Sequence, residues 1–308
     1  MSAISVCIPT YNRPDHFEEA LQSVSNQDPA PYEILVGDDS TDRRTERLVQ
    51  GYVEEGVSIC HLWNEPSLGL AKNVDKLFEK ADGDYIILLH DDDRLVEGAL
   101  SKMWECFKGH TGIVASFGKQ HVISADGQIN WEMTNGLNEN YHRTSAEAGR
   151  ISSTLLSATI QQFPNDGFMV KSSVAKEVGY DLPDAGETGD YAFGVELART
   201  TEGNFYFTDE YTAQYRLSEE SLSGGSDSSY RAFKIATEKV PDEVRTHPLV
   251  QEWLRNRSPV AVMRAAQHGF VRDGFSWYFG PHHRHRIPTL GGIRRLLVLI
   301  GASLGLKG

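Results

Sequence analysis

The stretch YIILLHDDD, residues 85–93, decides the fold of this chain. Its first five residues, Tyr85 to Leu89, form a continuous apolar run with the length of a strand that is buried on both faces, as in the middle of a parallel sheet. Three consecutive aspartates, Asp91, Asp92 and Asp93, follow at once. The sequence therefore predicts a central strand whose carboxyl end is strongly acidic.

Strand patterns and helical patterns alternate on both sides of this run. Strands are predicted at 4–8, 34–36 and 57–63, and helices at 70–81 and 96–107. This alternation indicates a mostly parallel α/β sheet with right-handed crossovers, flanked by helices. Ligands of such open sheets bind beyond the carboxyl ends of the strands, so the polar residues there should line one cleft. These residues are Thr10, Tyr11, Asn12, Asp38, Asp39, Asn64, Glu65 and His90 to Asp93.

The pattern changes in the second half of the chain. Short strands and loops continue from residue 112, and a run rich in glycine and serine at 224–229 is typical of a linker. Helical patterns follow it to the end of the chain. We predict an α/β domain over residues 1–225 and a helical extension over residues 226–308 that ends in a basic amphipathic tail.

Charge is distributed unevenly along the chain. The formal net charge is -13, which disfavours nucleic acid as a partner because phosphate is repelled. Residues 282–308 nevertheless contain no acidic residue. Their basic residues are Arg284, Arg286, Arg294, Arg295 and Lys307. This tail is predicted to contact an anionic membrane surface, with packing on its own domain as the alternative.

The sequence also indicates a location. The three cysteines, Cys7, Cys60 and Cys106, are widely spaced and odd in number, so we expect each to be a small core residue in a reducing compartment. No signal-peptide pattern is visible at the start, and the apolar stretch at 296–306 is too short to cross ~30 Å of hydrocarbon. We expect a cytoplasmic protein whose tail lies at the inner face of the membrane.

The three aspartates suggest a metal. Adjacent carboxylates repel one another unless a cation neutralises them, and Mg²⁺ and Mn²⁺ prefer oxygen ligands. The alternative is a solvated acidic turn that caps the helix beginning near Val96. The position after a central strand favours the metal.

Asp38 and Asp39, after the second strand, allow two interpretations. A carboxylate here could accept a hydrogen bond from a base N–H or a ribose hydroxyl. Alternatively Ser40, Thr41 or Asp42 caps a helix, and both interpretations can hold for different residues.

Several motifs together resemble the family 2 glycosyltransferases, which have the GT-A (Rossmann-like) fold. The order and the spacing of the motifs are similar over residues 2–225, and the combination is more specific than any one motif. The motifs are Pro9–Arg13, Asp38–Asp42, Gly69–Asn73, Asp91–Asp93, Gly167–Met169, Val178–Asp181, Gly189–Tyr191, Tyr215–Arg216 and Ser221–Ser223.

This resemblance implies a set of nucleotide-binding residues. The first loop, with Pro9, Thr10, Tyr11 and Arg13, would border the nucleotide. Asp39, beside Asp38, would accept from the N–H of a pyrimidine, and Lys72 lies where the family usually has an arginine near the base and phosphates. Asp91 and Asp93 resemble the Asp-x-Asp pair that holds ribose and metal, with Asp92 between them.

The resemblance also implies a reaction. Asp190 matches the catalytic base, and Arg216, Ser221 and Ser223 match a loop that closes over the diphosphate. We expect an inverting glycosyltransferase that uses Mn²⁺ or Mg²⁺ and moves a sugar from a UDP- or dTDP-sugar to an acceptor hydroxyl. The product would be a polysaccharide, a glycolipid or a glycosylated metabolite.

Two alternatives stay open. A nucleotidyltransferase also binds nucleotide and metal at the rim of an α/β sheet, although no glycine-rich loop with a following lysine lies near the first strand. A nucleotide-sugar-binding module without catalysis is the other alternative, because Gly189 and Ser218 stand where the family usually has an acid and a histidine. From the sequence alone, Asp190 is as well explained as a helix N-cap.

Overall fold

The computed structural model describes residues 2–217 and 226–305. These residues form two compact units, one made of 2–182 and 193–217, the other of 183–192 and 226–305. The predicted domain boundary after residue 225 falls outside the described residues.

The first unit is built on one sheet, and the predicted α/β architecture is confirmed. In the described residues the strand order is β3-β2-β1-β4-β8-β6-β9-β5, with β7 paired to β9. The four strands β1 to β4 are parallel to one another, whereas β8 pairs antiparallel with both β4 and β6. The strands are β1 Ile4–Thr10, β2 Glu33–Asp38, β3 Ile59–Trp63, β4 Tyr85–Leu88, β5 Arg94–Leu95, β6 Ile113–Ile123, β7 Gly149–Ile151, β8 Phe168–Lys171 and β9 Asn204–Arg216.

Helices follow most of these strands. Up to residue 200 they are α1 Pro14–Ser25, α2 Arg44–Glu54, α3 Leu70–Lys80, α4 Ala99–Glu105, α5 Trp131–Asn140, α6 Thr154–Thr159, α7 Ser172–Val178 and α8 Gly189–Thr200. The C-terminal helices are α9 Ser228–Glu238, α10 Asp242–Arg245, α11 Pro248–Gln267, α12 Val271–Phe279 and α13 Leu290–Ser303. The predicted helical extension is therefore present in the described residues.

The helix expected at 96–107 is shorter, and its start has a physical cause. Arg94 and Leu95 pair with β9 as the short strand β5, and the Val96 N–H donates to the Thr212 carbonyl at 3.2 Å. Gly98 then adopts a φ of 72°, in the left-handed region that favours glycine, so α4 begins only at Ala99.

The core of the first unit lies against both faces of the parallel strands. Alternating residues of β1, such as Val6 and Ile8, contact the buried face of α1, including Phe17. On α3, Phe78 makes edge-on ring contacts with Tyr180 and Phe193, at centroid distances of 5.7 and 5.6 Å. These aromatic contacts bury the apolar face of α3.

One expectation about the cysteines is wrong. Cys7 and Cys106 are buried, but Cys60 is exposed. Cys60 lies on β3, which is at the edge of the sheet and has only β2 beside it among the described strands. None of the five β3 residues is fully buried, because an edge strand is covered less completely than a central strand, so an apolar run there does not imply burial.

The second unit packs its last helix on the helices before it. Leu299 of α13 is buried against Val262, Ala266 and Tyr278. The Tyr278 hydroxyl donates to the Gly292 carbonyl at 3.1 Å, which anchors the start of α13. Among the helices that the structure describes, none is both long enough and apolar enough to cross a membrane.

Replacing Phe78 with alanine should lower the free energy of unfolding by about 3–5 kcal/mol, because the cavity left between Tyr180 and Phe193 cannot be refilled. Urea denaturation followed by fluorescence measures this change. Val53→Ala, at an exposed site on α2, is the control and should change stability by less than about 0.5 kcal/mol. Equal losses in both variants would contradict the role assigned to Phe78.

Candidate nucleotide and metal site

A cavity of about 390 Å³ opens at the carboxyl ends of β1, β2 and β4. Its size falls in the range of small-molecule sites. The predicted nucleotide-binding residues that line it are Pro9, Thr10, Tyr11, Arg13, Asp39, Asp91 and Asp92. Asp38 and Lys72 are not among the lining residues. The convergence expected from parallel strands is therefore observed.

Asp38 and Asp39 have different surroundings, although both are buried. The Asp38 carboxylate accepts the Ser40 N–H at 2.9 Å and pairs with His61 Nε2 at 3.0 Å, so it holds its own turn and the neighbouring strand. The Asp39 carboxylate lines the cavity. Only Asp39 of the two is placed to meet a ligand there.

Asp39 also organises the loop after β3. Its Oδ1 accepts from the Asn64 side chain at 2.8 Å and from the Leu68 N–H at 3.1 Å. Its Oδ2 accepts from the Gly69 N–H at 2.8 Å. Gly69 has a φ of 78°, which a residue with a Cβ rarely adopts. A single carboxylate therefore shapes one wall of the cavity.

Asn73 also lines the cavity, although no role was predicted for it from the sequence. Its side chain donates to the Gly37 carbonyl at 2.8 Å and accepts from Asn64 at 3.2 Å. A Cβ on Gly37 would overlap the Asn73 amide, so this position requires glycine. Lys72, the residue that was predicted, is exposed on α3. The sequence signal that could have indicated Asn73 is an asparagine on the otherwise apolar face of the helical pattern.

The aspartate turn faces the first loop. The Asp91 carboxylate accepts the Tyr11 N–H at 3.3 Å, and Arg13 Nη1 lies 3.0 Å from Asp92 Oδ2. Burial raises the pKa of Asp91, and the neighbouring charge of Asp92 raises it further, while Arg13 opposes both. The turn thus concentrates negative charge, and the positive charge of Arg13 offsets only part of it.

Asp93 is the most deeply buried of the three aspartates in the turn. Its Oδ1 accepts the Arg216 N–H at 2.7 Å. Burial raises its pKa well above the ordinary value, with the charges of Asp166 and Asp92 adding to the effect. A cation beside Asp93 would stabilise the ionised form.

Three side chains here are close enough to share such a cation. One ligand atom from each of His90, Asp92 and Asp93 lies within 4.8 Å of the others. Two carboxylates and an imidazole suit Mn²⁺ and are compatible with Mg²⁺. Within the described residues Asp91 does not belong to this group, so its role as a metal ligand stays a prediction, and His90 was not foreseen as a ligand.

Arg216 is buried and supports the aspartate turn. Its guanidinium donates to the carbonyls of Asp92 at 2.8 Å and Ala125 at 2.7 Å, and it pairs with Glu19. These contacts occupy most of its donors. The role predicted for Arg216 toward a diphosphate stays a prediction, and Ser221 and Ser223 lie outside the described residues.

A second layer of buried polar residues lies behind the turn. The Asp166 carboxylate accepts the His90 N–H at 3.0 Å. Gln120 donates to the Asp166 carbonyl at 3.4 Å, and the guanidinium of Arg143 donates to Gln120 at 2.6 Å. Burial lowers the pKa of Arg143 to about 10. No local sequence motif distinguishes these residues, so they were not predicted.

Asp190 occupies the first turn of α8 and is half-buried. An acidic residue at this place interacts favourably with the helix dipole. It belongs to the second unit, 183–192 with 226–305, whereas the cavity belongs to the first.

The sequence model described as "Glycosyl transferase family 2" matches residues 5–163, which include β1 to β6 and the aspartate turn. The chain belongs to this family. Family membership removes the nucleotidyltransferase alternative, and it identifies the 390 Å³ cavity as lying in a glycosyltransferase domain.

Known family 2 proteins and glycosyltransferase structures resemble the chain to different extents. A β-1,3-glucosyltransferase of Campylobacter jejuni, named for GalNAc(5)-diNAcBac-PP-undecaprenol, is 32% identical over 135 residues, which are 44% of this chain and 43% of that enzyme. The chain thus spans less than half of that relative.

Two solved structures share the fold. The complex of S. aureus TarS 1-349 with UDP-GlcNAc has a TM-score of 0.60 at 16% identity, and the match covers 97% of this chain and 81% of that TarS fragment. A Pyrobaculum calidifontis mannosyltransferase with GDP-Man and Mn²⁺ has a TM-score of 0.57 at 14% identity, and the match covers 99% of this chain and 87% of the mannosyltransferase chain. The predicted GT-A fold is confirmed for this family 2 domain.

Arg216→Lys should lower the free energy of unfolding of this glycosyltransferase domain by about 2–4 kcal/mol, because lysine cannot reach Glu19 and the Asp92 and Ala125 carbonyls together. Thermal unfolding without ligand measures it. Arg13→Lys, at the open edge of the cavity, is the control and should leave stability nearly unchanged. Unchanged stability of Arg216→Lys with weakened nucleotide binding would instead assign Arg216 to the ligand.

Proposed function

We propose that the chain transfers a sugar from a UDP- or dTDP-sugar to an acceptor hydroxyl, with inversion at the anomeric carbon and with a divalent metal. The observation that carries the proposal is the 390 Å³ cavity between Asp39 and the aspartate turn, at the carboxyl ends of the parallel strands. A nucleoside fits the Asp39 side, and a diphosphate fits the metal-ligating side.

The acceptor capacity of Asp39 favours a pyrimidine. A carboxylate has about four lone-pair positions, two on each oxygen. Asn64, Leu68 and Gly69 use three of them, which leaves one on Oδ2. Uracil and thymine each present one ring N–H, whereas guanine presents N–H groups on two neighbouring atoms. The exposed ring of Tyr11 at the cavity can stack on a base.

His90, Asp92 and Asp93 would hold the metal, with Asp91 as the further candidate from the family resemblance. A bound divalent ion would neutralise charge on the departing diphosphate. The ion pair between Arg13 Nη1 and Asp92 Oδ2, at 3.0 Å, supports a cationic partner for the turn. Asp166 and Arg216 hold the backbone of the turn at His90 and Asp92.

Asp190 would act as the base of the transfer. The acceptor hydroxyl oxygen forms the new bond to the anomeric carbon while the bond from that carbon to the diphosphate oxygen breaks. The hydroxyl proton moves to Asp190, and the nucleoside diphosphate leaves. Attack opposite the leaving group inverts the configuration.

The acceptor is proposed as a glycan, a glycolipid or a small molecule. The undecaprenol in the name of the Campylobacter relative supports a lipid-linked acceptor. Such an acceptor would place the chain in the cytoplasm at the inner face of a membrane. The binding module without catalysis is the second candidate, favoured by Gly189 before Asp190. Measured turnover of donor separates the two.

Mn²⁺ should strengthen UDP binding to the intact chain, and Asp93→Asn should weaken that metal-dependent binding by about tenfold or more, since a charged ligand is lost. Calorimetric titration of UDP with Mn²⁺ or with EDTA measures both. Asp82→Asn, exposed before β4, is the control. Equal UDP affinity in Asp93→Asn and the unchanged chain would remove the metal assignment.

Asp190→Asn should keep donor affinity and lower the transfer rate by about 10²- to 10⁴-fold, the usual contribution of a general base. Asp184→Asn is the matched control, because Asp184 is exposed in the same segment. NMR of the product tests inversion through its anomeric configuration. Near-normal turnover by Asp190→Asn would refute the base role, and absence of turnover in the unchanged chain would favour the binding module.

A further inference from the structure

One face of α13 is apolar and exposed. The exposed fractions are 88% for Leu290, 50% for Ile293, 63% for Leu297, 41% for Ile300 and 69% for Leu304, the residue that follows the helix. At 3.6 residues per turn these five side chains fall within about 80° of arc. Together they are called the apolar stripe. Such a continuous exposed stripe marks an interaction surface.

The opposite face of α13 is already used inside the second unit. Leu299 is buried in the cluster with Val262, Ala266 and Tyr278, and Gly292 is buried at the start of the helix. Arg295 Nε donates to the Pro259 carbonyl at 3.1 Å. Packing on its own unit therefore explains one face of the helix and leaves the apolar stripe without a role in the described fold.

The charged residues of the segment that carries the stripe are of one sign. Arg294 is exposed one position away from Ile293, and Arg284 and His285 are exposed in the turn that precedes the helix. No acidic residue occurs between residues 282 and 308. The surface thus combines an apolar centre with a basic margin, on a chain whose net charge is -13.

We infer that α13 lies in the interface of an anionic lipid bilayer, with the apolar stripe inserted among the acyl chains and Arg294 at the headgroups. Charge complementarity selects this occupant, because anionic lipid attracts a basic margin. A second copy of the chain would bring two segments of the same sign together. The helix of 14 residues is about 21 Å long, so it fits along the surface of a bilayer and does not cross it.

The test is flotation of the full chain with vesicles of phosphatidylcholine alone or with 30% phosphatidylglycerol. The unchanged chain should bind the anionic vesicles and detach as salt is raised. Ile293→Gln with Leu297→Gln should reduce binding about tenfold or more, and Arg294→Glu should reduce it similarly. Controls are Val53→Gln, an exposed apolar residue elsewhere, and Lys80→Glu, which changes the net charge equally.

Thermal unfolding and UDP binding of each variant show whether it is folded, and neither depends on the lipid. Loss of binding in the stripe and Arg294 variants alone supports the inference. The inference is overturned if the unchanged chain does not bind anionic vesicles, or if it binds neutral vesicles equally well. It is also overturned if the control variants lose as much vesicle binding as the stripe and Arg294 variants. A concentration-dependent dimer that Leu297→Gln dissolves, without vesicle binding, would assign the stripe to a second copy instead.

Discussion

The structure depends on burying several carboxylates at one edge of a parallel sheet. Asp38, Asp39, Asp91 and Asp93 are all buried at the carboxyl ends of β2 and β4. Burial of an unpaired charge is costly, so each carboxylate needs hydrogen bonds or a cation. Backbone N–H groups supply some of these hydrogen bonds. Ser40 donates to Asp38, Tyr11 to Asp91 and Arg216 to Asp93. The loops around the cavity take the shapes that bring these donors into place.

This requirement links the fold to the proposed chemistry. Asp39 holds the loop after β3 against the cavity, and the same contacts leave it one acceptor position, which the proposed nucleotide base would use. Asp93 is tied to β9 through the Arg216 N–H. Arg13 offsets only part of the negative charge at the turn, and a bound divalent metal would neutralise the remainder while also offsetting the charge of a diphosphate. Preorganisation of this kind lowers the cost of ordering the site when the ligand binds.

The two faces of α13 show a division of roles within one helix. Leu299 on one side belongs to the core of the second unit, and Leu297 on the other side is exposed. A helix that is docked through one face presents the other in a fixed orientation, which suits binding to a flat lipid surface. For an enzyme with a lipid-linked acceptor, such binding would raise the local concentration of the substrate.

The sequence by itself determined the strand and helix periods, the acidic turn at residues 91–93 and the family, because each period and each motif is local and the order of the motifs is read directly along the chain. Only the tertiary structure decided which neighbouring side chain faces the cavity, as with Asp39 rather than Asp38, and that His90 joins Asp92 and Asp93 in the group proposed to hold a metal. It also showed that Arg216 supports Asp93 across 123 positions of the chain. Long-range partners are set by how the sheet brings distant segments together, and no local pattern encodes that distance.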